Sequence, residues 1–421
     1  MKKKFLFLLA SCILLPCLFL GAASYYKKHL ARPYLTVIGF ADMRDGIGRQ
    51  SVDVITALRG LSSIHFYQTR RPRMENIPSH VECVMRKSFH KMGKVVLYED
   101  IFYAFSHNFF EKHFDLQRKD EVRLAYCMVE SSLAPERWVH NLNRYFDAVV
   151  VPDPFLVNVF KNSGVTLPIF VVPLGLNLKS FLEKPLKTAC HTPFIFANFS
   201  TCILRKNHET LIEAFYEAFQ DRSDVRLWIN SKYTEDNLFQ VLQEKVSALG
   251  VHNIILTNNS YNSKEYLENF EKIDCYVSLS KAEGFSIQPR EAMALGIPCI
   301  LSDNTGQSTI CQSGLVKALP CPLEEPAYYE IYRDVFGVRY CVEPHTAAKA
   351  LQEVYHHYPS YLASSQKARL WASCYDCEHL GALYTSLVRP KRIVLGCANT
   401  LENNTLTTTS LRLYEKYKAI L

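Results

Sequence analysis

The stretch that most constrains this chain is Lys281-Ala-Glu-Gly-Phe-Ser-Ile-Gln-Pro-Arg-Glu-Ala-Met-Ala-Leu-Gly-Ile-Pro-Cys-Ile-Leu-Ser302. Apolar, strand-like runs flank it, Asp274–Ser280 before the corner and Ile297–Leu301 after it. Between them Ser286 reads as a helix N-cap. Pro289 falls in the first turn, where a missing N–H costs nothing, and Gly296 followed by Pro298 ends the helix. Strand, tight turn and helix in that order belong to an α/β sheet. Ligands bind outside the carboxyl ends of such strands, and helix N-terminal amides there attract anions. The corner carries two carboxylates, Glu283 in the loop and Glu291 about one turn into the helix. Two acids can hold hydroxyl groups while the helix end holds phosphate, a combination that suits a nucleotide-sugar. Glutamates near a helix start also have a plainer origin in the macrodipole, so other segments must discriminate.

At 421 residues the chain is too long for one ordinary core, and two domains are expected. Hydrophobic residues make up 48% and charged residues 21%, the balance of a folded globular protein. A net charge of +7 does not argue for nucleic acid, and none is expected as a partner. The fourteen cysteines are scattered, and Cys275 and Cys299 lie inside apparent core strands. They read as small buried hydrophobes rather than a disulfide framework. Cys374-Tyr-Asp-Cys377 has metal-ligand spacing but no second pair nearby, and reads as one face of a helix.

Residues 1–24 read as an N-terminal membrane anchor or a signal segment. Met-Lys-Lys-Lys precedes an apolar run, Phe5–Ala23, whose roughly 19 residues just suffice to span a bilayer. Gly21-Ala-Ala-Ser24 offers a small-residue cleavage zone. We favour the anchor. Basic residues on both sides (Lys2, Lys3, Lys4; Lys27, Lys28, Arg32) give no clear orientation.

Beyond residue 34 two series of strands alternate with helix-length segments. The first contains Tyr34–Phe40, Ser63–Tyr67, Val95–Glu99, Ala125–Glu130, Ala148–Pro152 and Ile169–Pro173. The second contains Phe194–Phe199, Val225–Asn230, Ile254–Thr257, Cys275–Leu279 and Cys299–Leu301. Runs of this kind predict parallel sheets with helices on both faces. Helices are predicted at Ser51–Leu61, His208–Gln220, Glu235–Leu249 and Lys264–Lys272. The expected domains are 25–187 and 188–388, joined through Gly175–His191, with a tail at 389–421.

Three further segments carry candidate chemistry. Arg205 and Lys206 follow a strand and precede the helix His208–Gln220; fixed cations there would stabilise charge gathering on a leaving diphosphate. Their bland reading is a solvated basic turn. Gly46-Ile-Gly48-Arg49 lies at a strand-to-helix turn, where glycines let the backbone approach a ligand. A basic and aromatic group in the first domain (Arg70, Arg71, Arg73, Arg86, Lys87, His90, Lys91, Lys94 with Phe66, Tyr67, Phe89) is an ordinary solvated face or a contact for anionic headgroups or a phosphorylated acceptor.

Glu283-Gly-Phe-Ser-Ile-Gln-Pro-Arg-Glu291-Ala-Met-Ala-Leu-Gly-Ile-Pro-Cys299 resembles the signature of the retaining glycosyltransferases of family 4, Glu-Gly-Phe-Gly-Leu-Pro-x-x-Glu-Ala-Met-Ala-x-Gly-x-Pro-Val. Arg205-Lys206 ahead of Leu211-Ile-Glu-Ala-Phe215, the Gly46–Arg49 loop, and the run Glu130–Val139, Asp147–Pro152, Ser163–Val165 and Val172–Phe181 resemble the same family in the same order. The likeness covers roughly residues 35–385.

The resemblance implies the GT-B fold: two Rossmann-like domains facing a cleft, with a helix near 371–387 crossing back. It implies hexosyl transfer with retention, from a nucleoside-diphosphate sugar to a glycan or lipid-linked acceptor. It gives Glu291 to the ribose, Glu283 with Gly284 and Phe285 to the donor sugar, and Arg205 with Lys206 to the diphosphate. Gly46 and Gly48 face the donor across the cleft. No cofactor or obligate metal is implied. Ser286 and Gln288 depart from the commonest residues, which bears on the sugar accepted. Thr309-Ile310 stand where a further glutamate is usual. Asp100 and Glu130, each at a strand end of the first domain, are the acceptor-side candidates. A membrane-held, cytoplasm-facing enzyme is expected, with an exported form left open. The rival readings are a nucleotide-sugar epimerase and a non-catalytic glycan- or protein-binding relative.

Overall fold

The computed structural model of the protein describes residues 33–43, 46–61, 63–86, 92–99, 121–330 and 332–388. The N-terminal segment 1–24, the tail 389–421, Asp100 and the basic stretch 87–91 lie outside the described residues.

Two parallel sheets organise the molecule. The first joins β1 (Leu35–Gly39), β2 (Ile64–Gln68), β3 (Met85–Arg86), β4 (Val95–Tyr98), β5 (Val122–Tyr126), β6 (Ala148–Val151) and β7 (Ile169–Val171) in the order β3-β2-β1-β4-β5-β6-β7. The second joins β8 (Phe194–Phe199), β9 (Val225–Asn230), β10 (Ile254–Thr257), β11 (Cys275–Ser278), β12 (Cys299–Ser302) and β13 (Lys317–Leu319) in the order β10-β9-β8-β11-β12-β13. Every residue of β1, β4, β5, β6, β11 and β12 is buried, because helices cover both faces; hence the continuous apolar runs. Each sheet reverses its strand order once, between β1 and β4 and between β8 and β11. Crevices form at such switch points, outside the strand ends.

Several elements differ from the sequence reading. The helix after β1 is Gly46–Ala57, not Ser51–Leu61, so Gly46 and Gly48 form its first turn. Glycine is a poor helix former, but a Cβ on Gly48 would stand 2.6 Å from the Asp42 carbonyl oxygen, so close approach decides the residue. The returning segment is two helices, Ser365–Ser373 and Cys377–Val388. They part where Leu176 donates to the Tyr375 carbonyl at 2.7 Å and accepts from the Cys377 amide at 2.9 Å. The second helix then lies on the first domain, its Tyr384 hydroxyl donating to the Pro173 carbonyl. Cys374 is therefore exposed at the end of one helix and Cys377 buried at the start of the next, not on a single face.

An antiparallel hairpin of β14 (Leu323–Tyr329) and β15 (Asp334–Cys341) also follows β13. Its β-branched and aromatic content was the available signal; Pro326 and the acidic pair before it masked the period. Among the described residues no helix is long and apolar enough to cross a membrane.

Candidate active site

At the switch point of the second sheet, the segments leaving β8 and β11 meet. After β8 the chain makes a short 3-10 turn, Leu204–Lys206. Asn207 then takes a left-handed φ of 57° before the helix His208–Phe219 begins. That turn aims both cations at the loop after β11. Arg205 Nη1 lies 3.2 Å from Glu283 Oε2, and Lys206 Nζ lies 2.5 Å from Glu283 Oε1. Arg205 also donates to the Ala282 carbonyl at 2.6 Å and, across the cleft, to Glu130 Oε1 at 3.3 Å.

Burial pushes the Glu283 carboxyl up, but Lys206 and Arg205 outweigh it and hold the group at about 2. Burial lowers the Lys206 ammonium despite Glu283. An acid ionised at that level accepts hydrogen bonds and stabilises positive charge; it does not donate a proton near neutral pH.

Glu283 is also fixed from behind. Its amide donates to Thr305 Oγ1 at 2.8 Å, and its carbonyl accepts from the Gly306 amide at 2.9 Å. A Cβ on Gly306 would stand 2.8 Å from that carbonyl oxygen, so only glycine lets the chain after β12 press on this loop. Gly284 is likewise crowded, with Met128 Sδ 2.7 Å from a would-be Cβ.

The helix Ile287–Ala294 follows, with Ser286 at its N-cap position but no capping side-chain bond. Ser286 instead has φ 65°, the left-handed region that favours glycine, which is the commonest residue here in the signature this chain resembles. Gln307 Nε2 donates to the Ser286 hydroxyl at 3.2 Å and to Ser278 at 2.7 Å, holding it in place.

Glu291 is fully buried one turn on. Its partners were not foreseen. Arg49, from the first domain's glycine-containing helix, donates to Oε1 at 2.9 Å, and Tyr266 donates to Oε2 at 2.8 Å. Tyr266 packs edge-on against Phe181 and Phe270, so its hydroxyl is aimed by a fixed ring. Arg49 stands one residue past Gly48, the available signal; Tyr266 had none, since it looks like a core aromatic.

Arg49 Nε also faces Asp53, but at 3.9 Å. At that range burial prevails and, with Glu291 and Asp376 adding to it, lifts the Asp53 carboxyl to about 7. The folded protein then keeps a proton that the unfolded chain loses near 4. This contribution is full below about pH 4 and fades as pH rises through about 7. Thermal unfolding at pH 5, 6, 7 and 8 is expected to show wild type losing stability from pH 5 toward pH 8 by about 2–3 kcal/mol more than Asp53→Asn. Parallel profiles would refute the raised carboxyl.

The structure thus brings Glu283, Arg205, Lys206, Gly284, Phe285, Ser286 and Glu130 together, with Glu291 and Gly48 on the Arg49 side. Gly46 is exposed, with open space around a would-be Cβ. Thr309, standing in for the usual glutamate, donates to Asp153 of the first domain at 2.8 Å. Among the described residues no group of three or more His, Cys, Asp or Glu side chains could hold a metal ion.

A crevice between two parallel sheets, with paired acids and cations at the switch point, is the arrangement of a GT-B transferase. The family model of the glycosyl transferases group 1 matches residues 186–319, the second sheet with its loops. No curated protein matches the chain. Among solved structures the chain is similar to Anabaena HepE in complex with UDP and glucose, with a TM-score of 0.64 at 11% identity, covering 84% of this chain and 99% of that one. It is similar to WaaG, a glycosyltransferase involved in lipopolysaccharide biosynthesis, with a TM-score of 0.57 at 13% identity, again over 84% and 99%. It is also similar to the pneumococcal O-GlcNAc transferase GtfA in complex with UDP and GlcNAc, with a TM-score of 0.51 at 13% identity over 70% of this chain and 56% of that one. At these identities the likenesses show the fold. Residues 186–319 thus resemble the glycosyl transferases group 1 domain, set in a chain with the two-sheet, GT-B-like fold.

Proposed function

We propose that the protein transfers a hexose from a uridine-diphosphate sugar to the hydroxyl of a glycan or lipid-linked acceptor, with retention at the anomeric carbon. The observation that carries this reading is the Arg205–Lys206–Glu283 cluster at the switch point, one helical turn from the buried Glu291. The molecules bound in HepE and GtfA, UDP with glucose and UDP with GlcNAc, support the choice of nucleotide.

In this reading the ribose hydroxyls displace Arg49 from Glu291, while Tyr266 keeps the second oxygen. The diphosphate takes up the free donors of Arg205 and Lys206, whose charge neutralises the leaving group as the glycosidic bond breaks. Glu283, ionised, accepts from sugar hydroxyls and offsets positive charge at the anomeric centre. Glu130 faces the acceptor side. Closure of the two domains limits water attack on the donor. The domain limits remain a proposal, 25–187 and 188–388, supported by the strands falling into two separate sheets. Attachment to a membrane through residues 1–24, with the site facing the cytoplasm, remains our proposal for its location.

The test is release of UDP from a panel of UDP-sugars by the full chain and by Glu291→Ala, with UDP affinity measured by calorimetry. Release from one donor and a loss of about 10- to 100-fold in UDP affinity in the variant are expected, since the ribose hydroxyls replace the Arg49 bond and the net loss is about one hydrogen bond to a charged acceptor. No binding of any donor by wild type would favour the non-catalytic reading.

A further inference from the structure

The hairpin β14–β15 begins at Leu323, just past the end of the family match at residue 319, and it touches both sides of the cleft. At its root it grips the donor loop. The Tyr340 amide donates to the Lys281 carbonyl at 2.9 Å, and Lys281 Nζ reaches Glu325 at 2.6 Å, two residues before Glu283. Further out it grips the first domain. The Tyr329 hydroxyl accepts from the Glu130 amide at 3.1 Å and bonds to Ser131 Oγ at 2.9 Å. The Ser132 amide donates to the Val338 carbonyl at 3.0 Å, and the Val338 amide donates to Ser132 Oγ at 2.9 Å. Arg339 Nε reaches the Glu130 carbonyl at 3.3 Å, and Trp138 Nε1 donates to the Tyr332 hydroxyl at 2.6 Å.

Two features make this a fitted joint rather than a chance touch. Tyr329 is 5% exposed, with the Arg339 guanidinium 5.0 Å above its ring. Gly337, at φ 69°, lies where a Cβ would stand 2.3 Å from Ser132 Oγ. The residue so held, Glu130, is the one whose carboxylate meets Arg205 from across the cleft.

We propose that the hairpin is a clasp joining the donor loop to the acceptor-side loop 130–132. Tyr329 is its positioning residue: it fixes Glu130 opposite Arg205 and keeps water out of the closed cleft. The inference deepens the transferase reading and rests on it for the consequence for hydrolysis; the clasp itself does not.

The experiment compares the full-length wild type with Tyr329→Phe and Gly337→Ala. It reads amide hydrogen exchange at Glu130 and Ser132, UDP affinity by calorimetry, and hydrolysis of UDP-glucose to UDP without acceptor. In Tyr329→Phe, exchange at Ser132 is expected to quicken about tenfold, as for one lost hydrogen bond, although its own partner Val338 is untouched. Gly337→Ala should do the same by pushing on Ser132. UDP affinity should stay within twofold while hydrolysis rises several-fold. Quickening confined to Glu130 would reduce Tyr329 to a local contact and overturn the clasp. So would a fall in hydrolysis, or UDP affinity falling in step with it. If wild type neither binds UDP nor hydrolyses UDP-glucose, the donor reading fails, and exchange at Ser132 still decides the clasp.

Discussion

Lys206→Ala is expected to lower the rate of UDP release from the preferred UDP-sugar by about 100- to 1,000-fold. Two cations face one carboxylate here, and they are not equivalent. Arg205 is held by the Ala282 carbonyl and by Glu130 as well as by Glu283, so much of its hydrogen-bonding capacity is committed to the protein. Lys206 has a single side-chain partner among these groups, Glu283, and three donors on a rotatable ammonium. It can turn to a diphosphate while Arg205 keeps Glu283 ionised. Charge on the leaving group grows in the transition state, so the loss should fall mainly on kcat, with UDP affinity changing by less than about tenfold. The fold should survive, because Glu283 retains Arg205 and the backbone bonds to Thr305 and Gly306. Steady-state UDP release with calorimetric UDP binding checks both halves. Equal losses in binding and turnover would make Lys206 a ground-state binding residue only.

Arg290→Ala is expected to destabilise the protein by about 3–5 kcal/mol, the scale on which an uncompensated buried charge and a cavity act together. Arg290 is fully buried, between the two signature glutamates in sequence but facing away from them. Its guanidinium lies 3.8 Å over the Phe285 ring and 4.5 Å over Tyr375, donates to the Phe285 and Ser286 carbonyls, and faces Asp153 of the first domain at 3.7 Å. Burial lowers the guanidinium and raises the Asp153 carboxyl, so each charge depends on the other and on the rings. Removing Arg290 takes a donor from two carbonyls and the facing positive charge from the Asp153 carboxyl, and it loosens the turn at Ser286. Arg290→Lys should recover little, since a point charge cannot stack on two rings or serve two carbonyls from one plane. Guanidinium unfolding followed by tryptophan fluorescence reads the shift. A loss below about 1 kcal/mol would show that the surroundings repack around the gap.

Both residues sit in segments whose outline the sequence shows plainly, yet only one was identified as functional from it. Lys206 stands between a strand and a helix with a predictable period, next to a second cation, and its chemistry follows from residue type and position. Arg290 has the same kind of address, inside the signature itself, but its role depends on Tyr375, Trp371 and Asp153, which lie far away along the chain. Glu291 divides in the same way. Its place one turn into a helix was readable, whereas its pairing with Arg49 and Tyr266, 242 and 25 positions away, was not. Long-range partners leave no local period, and a tyrosine aimed by two phenylalanines looks, in sequence, like any core aromatic.

Local physical rules therefore settled what is local. Runs of Val, Ile and aromatic residues buried on both faces specify parallel strands. Gly296 and Pro298 stop the helix that carries Glu291, and the spacing of Glu283 and Glu291 places both acids at one strand end. Tertiary structure alone decided which charges neutralise which. Arg205 and Lys206 hold Glu283 ionised, Arg49 reaches Glu291 from the other domain, and burial lifts Asp53 to about 7. It also brought the β14–β15 hairpin against Glu130. The physical reason is that Coulomb energy and desolvation depend on distance and burial in space, and neither is a function of separation along the chain.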